Sequence, residues 1–317
     1  MKIIYLMSGP SHMPNLVVSL YSLRRHYTGP ITVYAWPESW HFVRHVARDT
    51  RLNVEVRLAS PNYRGKNSQF FHKIQTVKNE TDQVMYLDAD TMPVGKLDDL
   101  FRLALNTEFL ATQFNEWTTH GGIIRNRISK LRDFPEINQD AVDNLLHNPW
   151  PWPSVNGGVF IAEPESEAVV LWEKWTSVCK EQLFIADETV LHAVMSYLVR
   201  KENNEPEAPI LFSVVPEYNT SPKHKAQTQN VTDVRIWHFH GDSNLRPDKC
   251  PLGVYLWWPI YQQCLQQNVG NIQDWQVDAN NKYLDKLRST SMNSCRYCGA
   301  DMLRERHRQD CPHSKDQ

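Results

Sequence analysis

Two aspartates separated by one residue are the first candidates for chemistry. Asp88 and Asp90 follow the apolar run 84–87 in the stretch VMYLDADTM. Neighbouring carboxylates repel each other, and carboxylate oxygens are the ligands that hard divalent cations prefer. On the pair alone, a turn capped by the aspartates is the favoured interpretation. Because the pair ends a predicted buried strand and Pro93 closes the loop behind it, the context favours a metal-binding loop that faces a ligand cleft.

Two histidines are candidates for a third metal ligand. His238 and His240 lie two residues apart in VRIWHFH, a predicted strand at 234–240, so their side chains project from one face. Imidazole combined with carboxylates suits manganese better than calcium. The alternative is an ordinary strand with a hydrogen-bonded core histidine. Gly241 and Arg246 follow, and an arginine near such a site suits an anionic substrate.

A second cluster of ligand-type residues lies near the end of the chain. Cys295, Cys298, His307 and Cys311 follow the spacing C-x2-C-x8-H-x3-C. Three thiolates and one imidazole suit tetrahedral structural zinc. His313 can take the place of His307, and a disordered tail with three incidental cysteines is the alternative interpretation. The spacing favours a closed, structural zinc site.

The elements that position the aspartates alternate between strand and helix. Strands are predicted at 2–7, 31–36, 53–58 and 83–87, with helices at 14–27, 39–49 and 69–79. This alternation predicts a mostly parallel sheet with helices on both faces. In such sheets ligands bind beyond the carboxyl ends of the strands. Asp88 and Asp90 stand at such an end.

The second half of the chain is less regular. NPWPWPS, 148–154, is interpreted as a rigid loop because its prolines fit neither a helix interior nor a central strand. A strand opens at Asn156, and helices are predicted at 165–182 and 187–199. Asp187 is a natural N-cap for the second of these helices.

Length and composition place bounds on the class of protein. The chain has 317 residues, of which 41% are hydrophobic and 22% charged, which fits one large α/β domain with an appendage, or two domains. The net charge of −2 gives no general reason to expect nucleic acid or membrane as a partner. No apolar run resembles a signal peptide or a membrane span. We therefore expect a cytoplasmic protein without membrane insertion.

Basic residues are concentrated in two short segments. The first segment holds Arg125, Arg127, Lys130 and Arg132, and the second, near the C-terminus, holds Arg304, Arg306 and Arg308. Clusters of this kind favour some contact with nucleic acid, although the overall charge does not.

Four stretches together resemble one family. KIQTVKNETDQVMYLDADTMPVGKLDDLF, 73–101, resembles the D-x-D region of family-8 glycosyltransferases, the glycogenin-like and galactosyltransferase-like enzymes of the GT-A fold. VNGGVF, 155–160, resembles their NSGV strand, and ADE, 186–188, their Asp-Gln pair that opens a helix. HFHG, 238–241, resembles their H-F-x-G. The resemblance covers roughly residues 1–260 in the family's order.

The chain departs from the family pattern at two motifs. Gly157 stands where the NSGV strand has serine, and Asn244 stands at the lysine position of the family's Gly-x-x-Lys-Pro. Arg246, followed by a proline, comes two residues later. The chain therefore resembles a relative of the family rather than a close member.

The resemblance implies a metal-dependent transfer of a sugar from a nucleotide-diphosphate donor, a UDP-sugar in first place, with retention of the anomeric configuration. It implies Mn2+ or Mg2+ held by Asp88, Asp90 and His238, with His240 as the rival ligand. The first aspartate also reaches the ribose in that family. Among the remaining donor-site residues, the diphosphate is expected to contact Lys73, Gly241 and Arg246. The donor sugar is expected to contact Asn156 and Asp187.

Two functions follow from these observations. The first is a metal-dependent glycosyltransferase with a GT-A domain at 1–270, a connector at 271–293 and a zinc knuckle at 294–317. Its acceptor is unidentified; a modified base in DNA is one candidate, beside protein, glycan and lipid-linked glycan. The second is a nucleic-acid-binding zinc-knuckle protein on a catalytically inactive GT-A scaffold.

Overall fold

The computed structural model describes residues 1–59, 65, 68–149, 152–182, 186–202, 216–225, 233–241, 243–246 and 249–275. The predicted zinc knuckle lies outside the described residues, with all four of its ligands and the three arginines near them. Of the predicted connector, only 271–275 is described, and there Ile272 and Trp275 are buried in the core. In the described part of the chain, no helix is both long and apolar enough to cross a membrane.

The first half alternates strands and helices as the sequence predicts. Its strands are β1 (Lys2–Met7), β2 (Ile31–Ala35), β3 (Val54–Leu58), β4 (Val84–Leu87) and β5 (Thr91–Pro93). Its helices are α1 (Met13–Arg24), α2 (Pro37–Ala47), α3 (Ser68–Lys78) and α4 (Asp98–Ala104). Pro14 and Pro37 lie in the first turns of α1 and α2, where a missing N–H costs no helical hydrogen bond.

The second half adds three strands and six helices in the described residues. The strands are β6 (Phe109–Thr118), β7 (Pro153–Ala162) and β8 (Ile236–His238). The helices are α5 (Gly122–Ser129), α6 (Gln139–His147), α7 (Glu167–Cys179), α8 (Glu188–Glu202), α9 (Pro222–Lys225) and α10 (Pro251–Gln266).

Six strands form one mixed sheet in the order β3-β2-β1-β4-β7-β6. β1 to β4 are parallel, and β7 runs antiparallel to both of its neighbours. β1 is apolar along nearly its whole length because helices cover both faces of the sheet. Ile3 and Tyr5 pack into a core cluster with α1 and α10, whereas Ile4 and Leu6 pack into the opposite cluster with α7 and α8.

β5 and β8 form a separate two-stranded antiparallel sheet that positions the site. Its register pairs Thr91 with His238 and Pro93 with Ile236. Two hydrogen bonds stabilise the turn between β4 and β5. The backbone N–H and the hydroxyl of Thr91 donate to the carbonyl oxygen of Asp88, at 3.1 and 2.8 Å. The strand that carries His238 is therefore paired with the strand that directly follows Asp90.

Two expectations about the second half were wrong in detail, and one helix was not predicted. β7 begins at Pro153, inside the predicted loop, because a proline at the first position of a strand removes no essential ladder hydrogen bond. β8 ends at His238, so His240 lies beyond the strand and the predicted strand 234–240 is too long. Both histidines still line the same cleft, with ring centroids 5.8 Å apart. α10 was not predicted, and it contains Pro259.

Candidate active site

A cleft of about 550 Å3 opens beyond the carboxyl ends of β1 and β4. The residues that line it include Ser8, Lys73, Tyr86, Asp88, Asp90, Phe114, Arg127, Asn156, Asp187, Glu188, His238, His240 and Gly241. Eight of the residues that the sequence analysis assigned to the donor site therefore lie in one cavity. This is the position that ligands take in open α/β sheets.

Asp88, Asp90 and His238 converge in this cleft. One ligand atom from each residue lies within 4.8 Å of the others. Nε2 of His238 is 3.3 Å from Oδ1 of Asp90 and 3.8 Å from Oδ2 of Asp88. Two carboxylates and one imidazole are a donor set for Mn2+ or a similar divalent cation, so the residues present fit the metal that the resemblance implies.

The orientation of His238 is set by Asn219, a residue that the sequence analysis missed. Nδ1 of His238 lies 2.9 Å from Oδ1 of Asn219, whose amide nitrogen donates to Oγ1 of Thr112 at 2.8 Å. Since an amide oxygen only accepts, Nδ1 donates to Asn219, and Nε2 is the ring nitrogen that faces the aspartates and could ligate a metal. This is the outer-shell support that metal-ligating histidines have in known sites.

The charges of the cluster reinforce one another. Burial lowers the pKa of His238, but Asp90 beside it outweighs burial and raises the pKa above its ordinary value. Burial raises the pKa of Asp90, yet His238 prevails and holds that pKa well below its usual range. Asp90 is therefore a carboxylate at neutral pH, as a metal ligand must be.

Lys73, on α3, joins two acidic residues of the cleft. Its ammonium is buried and donates to Oδ2 of Asp187 at 3.0 Å and to the carbonyl oxygen of Gly157 at 2.9 Å. It also lies 3.5 Å from each carboxylate oxygen of Asp88. Burial alone would lower the pKa of Lys73, but Asp187 and Asp88 outweigh it and raise that pKa above its ordinary value. The lysine therefore stays charged and ties α3 to both carboxylates.

Asp187 directly precedes α8, where the sequence predicted an N-cap. Its Oδ2 accepts from Lys73, and its Oδ1 is buried without a hydrogen bond to any residue that the structure describes. The carboxylate therefore pairs with a lysine across the cleft instead of capping the helix. A Cβ on Gly157 would lie 2.7 Å from this Oδ1, so the glycine at the family's serine position makes room for it.

Asn156 and Glu188 form the wall of the cleft beside Asp187. Nδ2 of Asn156 donates to Oε2 of Glu188 at 3.1 Å, and Oδ1 of Asn156 accepts from the backbone N–H of Gly158 at 2.8 Å. Burial, followed by the charge of Asp187, raises the pKa of Glu188. The sequence analysis did not assign Glu188 a role; its position next to Asp187 at the start of a helix was the available signal.

The remaining candidates take different positions. The ring of His240 packs edge-on against Phe114, with centroids 4.8 Å apart, and lines the cleft outside the metal-binding group. Gly241 lines the cleft with φ of 61°, a left-handed conformation that favours glycine. Arg246 is half-buried, and the described lining of the cleft does not include it.

Comparisons by sequence find no relative, since no family model and no curated protein matches the chain. Comparison by structure finds glycosyltransferases. A structure of the galactosyltransferase LgtC in complex with donor and acceptor sugar analogs has a TM-score of 0.55 and 13% identity, over 83% of this chain and 96% of that chain. An active-site mutant of LgtC has a TM-score of 0.51 and 13% identity, over 76% and 88%. The chain therefore shares the GT-A fold that the sequence predicted.

Proposed function

We propose that the protein is a metal-dependent glycosyltransferase that moves a sugar from a nucleotide-diphosphate donor, a UDP-sugar in first place, to an acceptor. The observation that carries the proposal is the convergence of Asp88, Asp90 and His238 in the cleft of a GT-A fold. LgtC, which shares the fold, is a galactosyltransferase that binds donor and acceptor sugar analogs.

In this proposal, Asp88, Asp90 and His238 would hold Mn2+ or Mg2+, and the bound cation would supply positive charge against the diphosphate leaving group. Asn219 accepts a hydrogen bond from Nδ1 of His238 and so holds the ring with Nε2 facing the two aspartates. Tyr86 donates a hydrogen bond to Oδ1 of Asp88 at 2.9 Å and holds that carboxylate in place.

The other end of the cleft suits the donor sugar. Asn156, Asp187 and Glu188 supply an amide and two carboxyl groups, which are the polar groups that hydroxyl-rich ligands need. Lys73 keeps Asp187 at a fixed distance from Asp88, so the sugar end and the metal end are held as one unit. Retention of the anomeric configuration belongs to the proposal through the family resemblance.

Among the described residues, the rival function, a nucleic-acid-binding protein on an inactive scaffold, is favoured only by the basic segment 125–132, in which Arg132 pairs with Asp143 and Arg127 lines the cleft. The group that could hold a metal and the ion pair between Lys73 and Asp187 lie in one cleft, which favours the enzyme over the inactive scaffold. A zinc knuckle at 294–317 and a DNA acceptor stay predictions, because the residues that suggested the zinc site lie outside the described part of the chain.

Hydrolysis of nucleotide sugars tests the proposal. The wild-type protein should slowly hydrolyse one member of a panel of nucleotide sugars when Mn2+ is present and no acceptor is added. EDTA should stop this hydrolysis, and excess Mn2+ should restore it. Asp90→Asn, which keeps the shape of the side chain, should lose it, whereas Asp82→Asn, at an exposed aspartate before β4, should not. Full activity of Asp90→Asn would refute the proposal.

A further inference from the structure

The described lining of the cleft carries little positive charge for a diphosphate. Its ionisable groups, histidines aside, are the carboxylates of Asp88, Asp90, Asp187 and Glu188 and the basic groups of Lys73 and Arg127. With neutral histidines the formal charge of this lining is −2, which a divalent cation only cancels. The ammonium of Lys73 is already paired with two of the carboxylates. A diphosphate brings further negative charge and needs another cation.

The position at which the resemblance expects a lysine does not supply that cation. Asn244 is fully buried, and its amide nitrogen donates to Oδ1 of Asn15 on α1 at 2.7 Å. Asn244 therefore fastens the chain after β8 to α1. Arg246, the other basic candidate from the sequence, is not among the described residues that line the cleft.

Lys223 on α9 is not itself among the described residues that line the cleft, but its ammonium lies beside Gly241, which is one of them. Its Nζ is 3.3 Å from the position that a Cβ would occupy on Gly241, and Gly241 lines the cleft next to His240. Apart from Gly241 and its two chain neighbours, no other heavy atom of the described residues lies within 4 Å of that position, and Gly241 is exposed, so the ammonium lies at an open rim. Among the described carboxylates, none forms an ion pair with Lys223.

The segment that carries Lys223 is fixed to the metal-binding strand. Asn219, four residues earlier, holds His238 by its side chain, and the backbone N–H of His238 donates to the carbonyl oxygen of Thr220 at 2.9 Å. Thr220 also forms a bridge with Trp237 of β8. The distance between Lys223 and the metal ligands is therefore set by backbone pairing and not by a long flexible loop.

We infer that Lys223 binds the diphosphate of the donor at the metal end of the cleft. The inference rests on the proposed function for the identity of the anion. Gly241, in its left-handed conformation, turns the chain at this rim and leaves space for the ammonium beside it. A lysine from α9 thus supplies the charge that position 244 lacks.

Binding of pyrophosphate in the presence of Mn2+ tests the inference without knowledge of the sugar or the base. Isothermal titration should show that Lys223→Met, which keeps most of the alkyl chain, weakens Mn2+-pyrophosphate binding on the order of tenfold, the loss expected for one charge-assisted contact. Lys223→Arg should recover most of the affinity. Arg246→Met is the matched control and should bind like the wild type. Binding of Mn2+ alone should be unchanged in all three variants, which shows that the fold and the metal site are intact.

The outcomes separate this inference from the proposed function. The inference would be overturned if Lys223→Met bound Mn2+-pyrophosphate as tightly as the wild type. It would also be overturned if only Arg246→Met lost affinity, or if the wild type did not bind Mn2+-pyrophosphate. Nucleotide-sugar hydrolysis by the wild type would in those cases leave the proposed function standing. Conversely, Lys223-dependent binding of pyrophosphate in a protein that hydrolyses no nucleotide sugar would support the anion site and refute the glycosyltransferase.

Discussion

Replacing Gly158 by alanine should disable the metal site, because three atoms of the site meet where the new methyl group would lie. A Cβ at position 158 would be 2.3 Å from Cε1 of His238, 2.8 Å from Oδ1 of Asn156 and 2.8 Å from Oδ2 of Asp88. Non-bonded carbon atoms keep about 3.5 Å or more between them, so the imidazole has to move by roughly 1 Å.

The backbone of β7 cannot take up this displacement. The carbonyl oxygen of Gly158 accepts from the backbone N–H of Asp88 at 2.8 Å, and Val159 pairs with Leu87 of β4. The ligands must yield instead, which should lower Mn2+ affinity by roughly 10- to 100-fold, the usual cost of disturbing the support of a ligating histidine. Overpacking should also cost about 1–3 kcal/mol of folding stability.

Electron paramagnetic resonance of free Mn2+ measures the affinity, and urea unfolding measures the stability. Gly9→Ala is the control, since no heavy atom lies within 4 Å of a Cβ at that position and Gly9 has an extended backbone. Gly9→Ala should match the wild type in both assays. A Gly158→Ala protein that is folded and binds Mn2+ as tightly as the wild type would show that His238 and Asp88 are not metal ligands in this arrangement.

Three further predictions concern histidines and their partners. His238→Ala should weaken Mn2+ binding far more than His240→Ala, since Nε2 of His238 lies 3.3 Å from Oδ1 of Asp90. A Mn2+ titration that gave the reverse order would identify His240 as the ligand. Asn219→Ala should lower the affinity for Mn2+, and Asn219→Asp should partly restore it, because the aspartate keeps an acceptor for Nδ1 of His238. Equal Mn2+ affinity in the wild type and both variants would show that Asn219 does not orient His238. Burial lowers the pKa of His192 from 6.5 to about 4 in the folded protein. As the pH falls, His192 is therefore protonated in the unfolded chain before it is protonated in the folded protein. Folding stability is lost between pH 6.5 and pH 4 for this reason. His192→Gln should lessen the loss between pH 7 and pH 4.5 by about 2–3 kcal/mol in urea unfolding, and an identical loss in both proteins would contradict this.

The parallel half of the fold was predictable because its signals are local. β1 and β4 are short apolar runs that are buried on both faces, and their bounds at Lys2–Met7 and Val84–Leu87 agree with the predicted strands to within a residue. The carboxylates that follow β4 could be assigned to a cleft, because the carboxyl ends of parallel strands are where such sheets bind ligands.

The antiparallel half was less predictable because tertiary pairing overrides local preference there. Pro153 argued for a loop, yet it begins β7, which β4 and β6 hold in place from both sides. The apolar run 234–240 predicted seven residues of strand, but β8 pairs with β5 over three residues only. The short β5 sets that limit, and no pattern in the run itself reveals it.

Some of the site residues were predictable from the sequence and others were not. Asp88, Asp90 and His238 have characteristic neighbours in the chain and were found by motif. Asn219 and Lys223 have none: they belong to a short segment that reaches the site through backbone pairing with β8. Only the folded chain places the amide of Asn219 against His238 and the ammonium of Lys223 beside Gly241.

Anomalous diffraction from a crystal of the protein grown with Mn2+ and UDP would test the metal-dependent donor site most directly. The account predicts one strong manganese peak bounded by Asp88, Asp90 and His238, with the diphosphate of UDP beside it and the ammonium of Lys223 within reach of a phosphate oxygen. A cleft that contains UDP but no manganese at these three side chains, or manganese bound elsewhere in the chain, would contradict it.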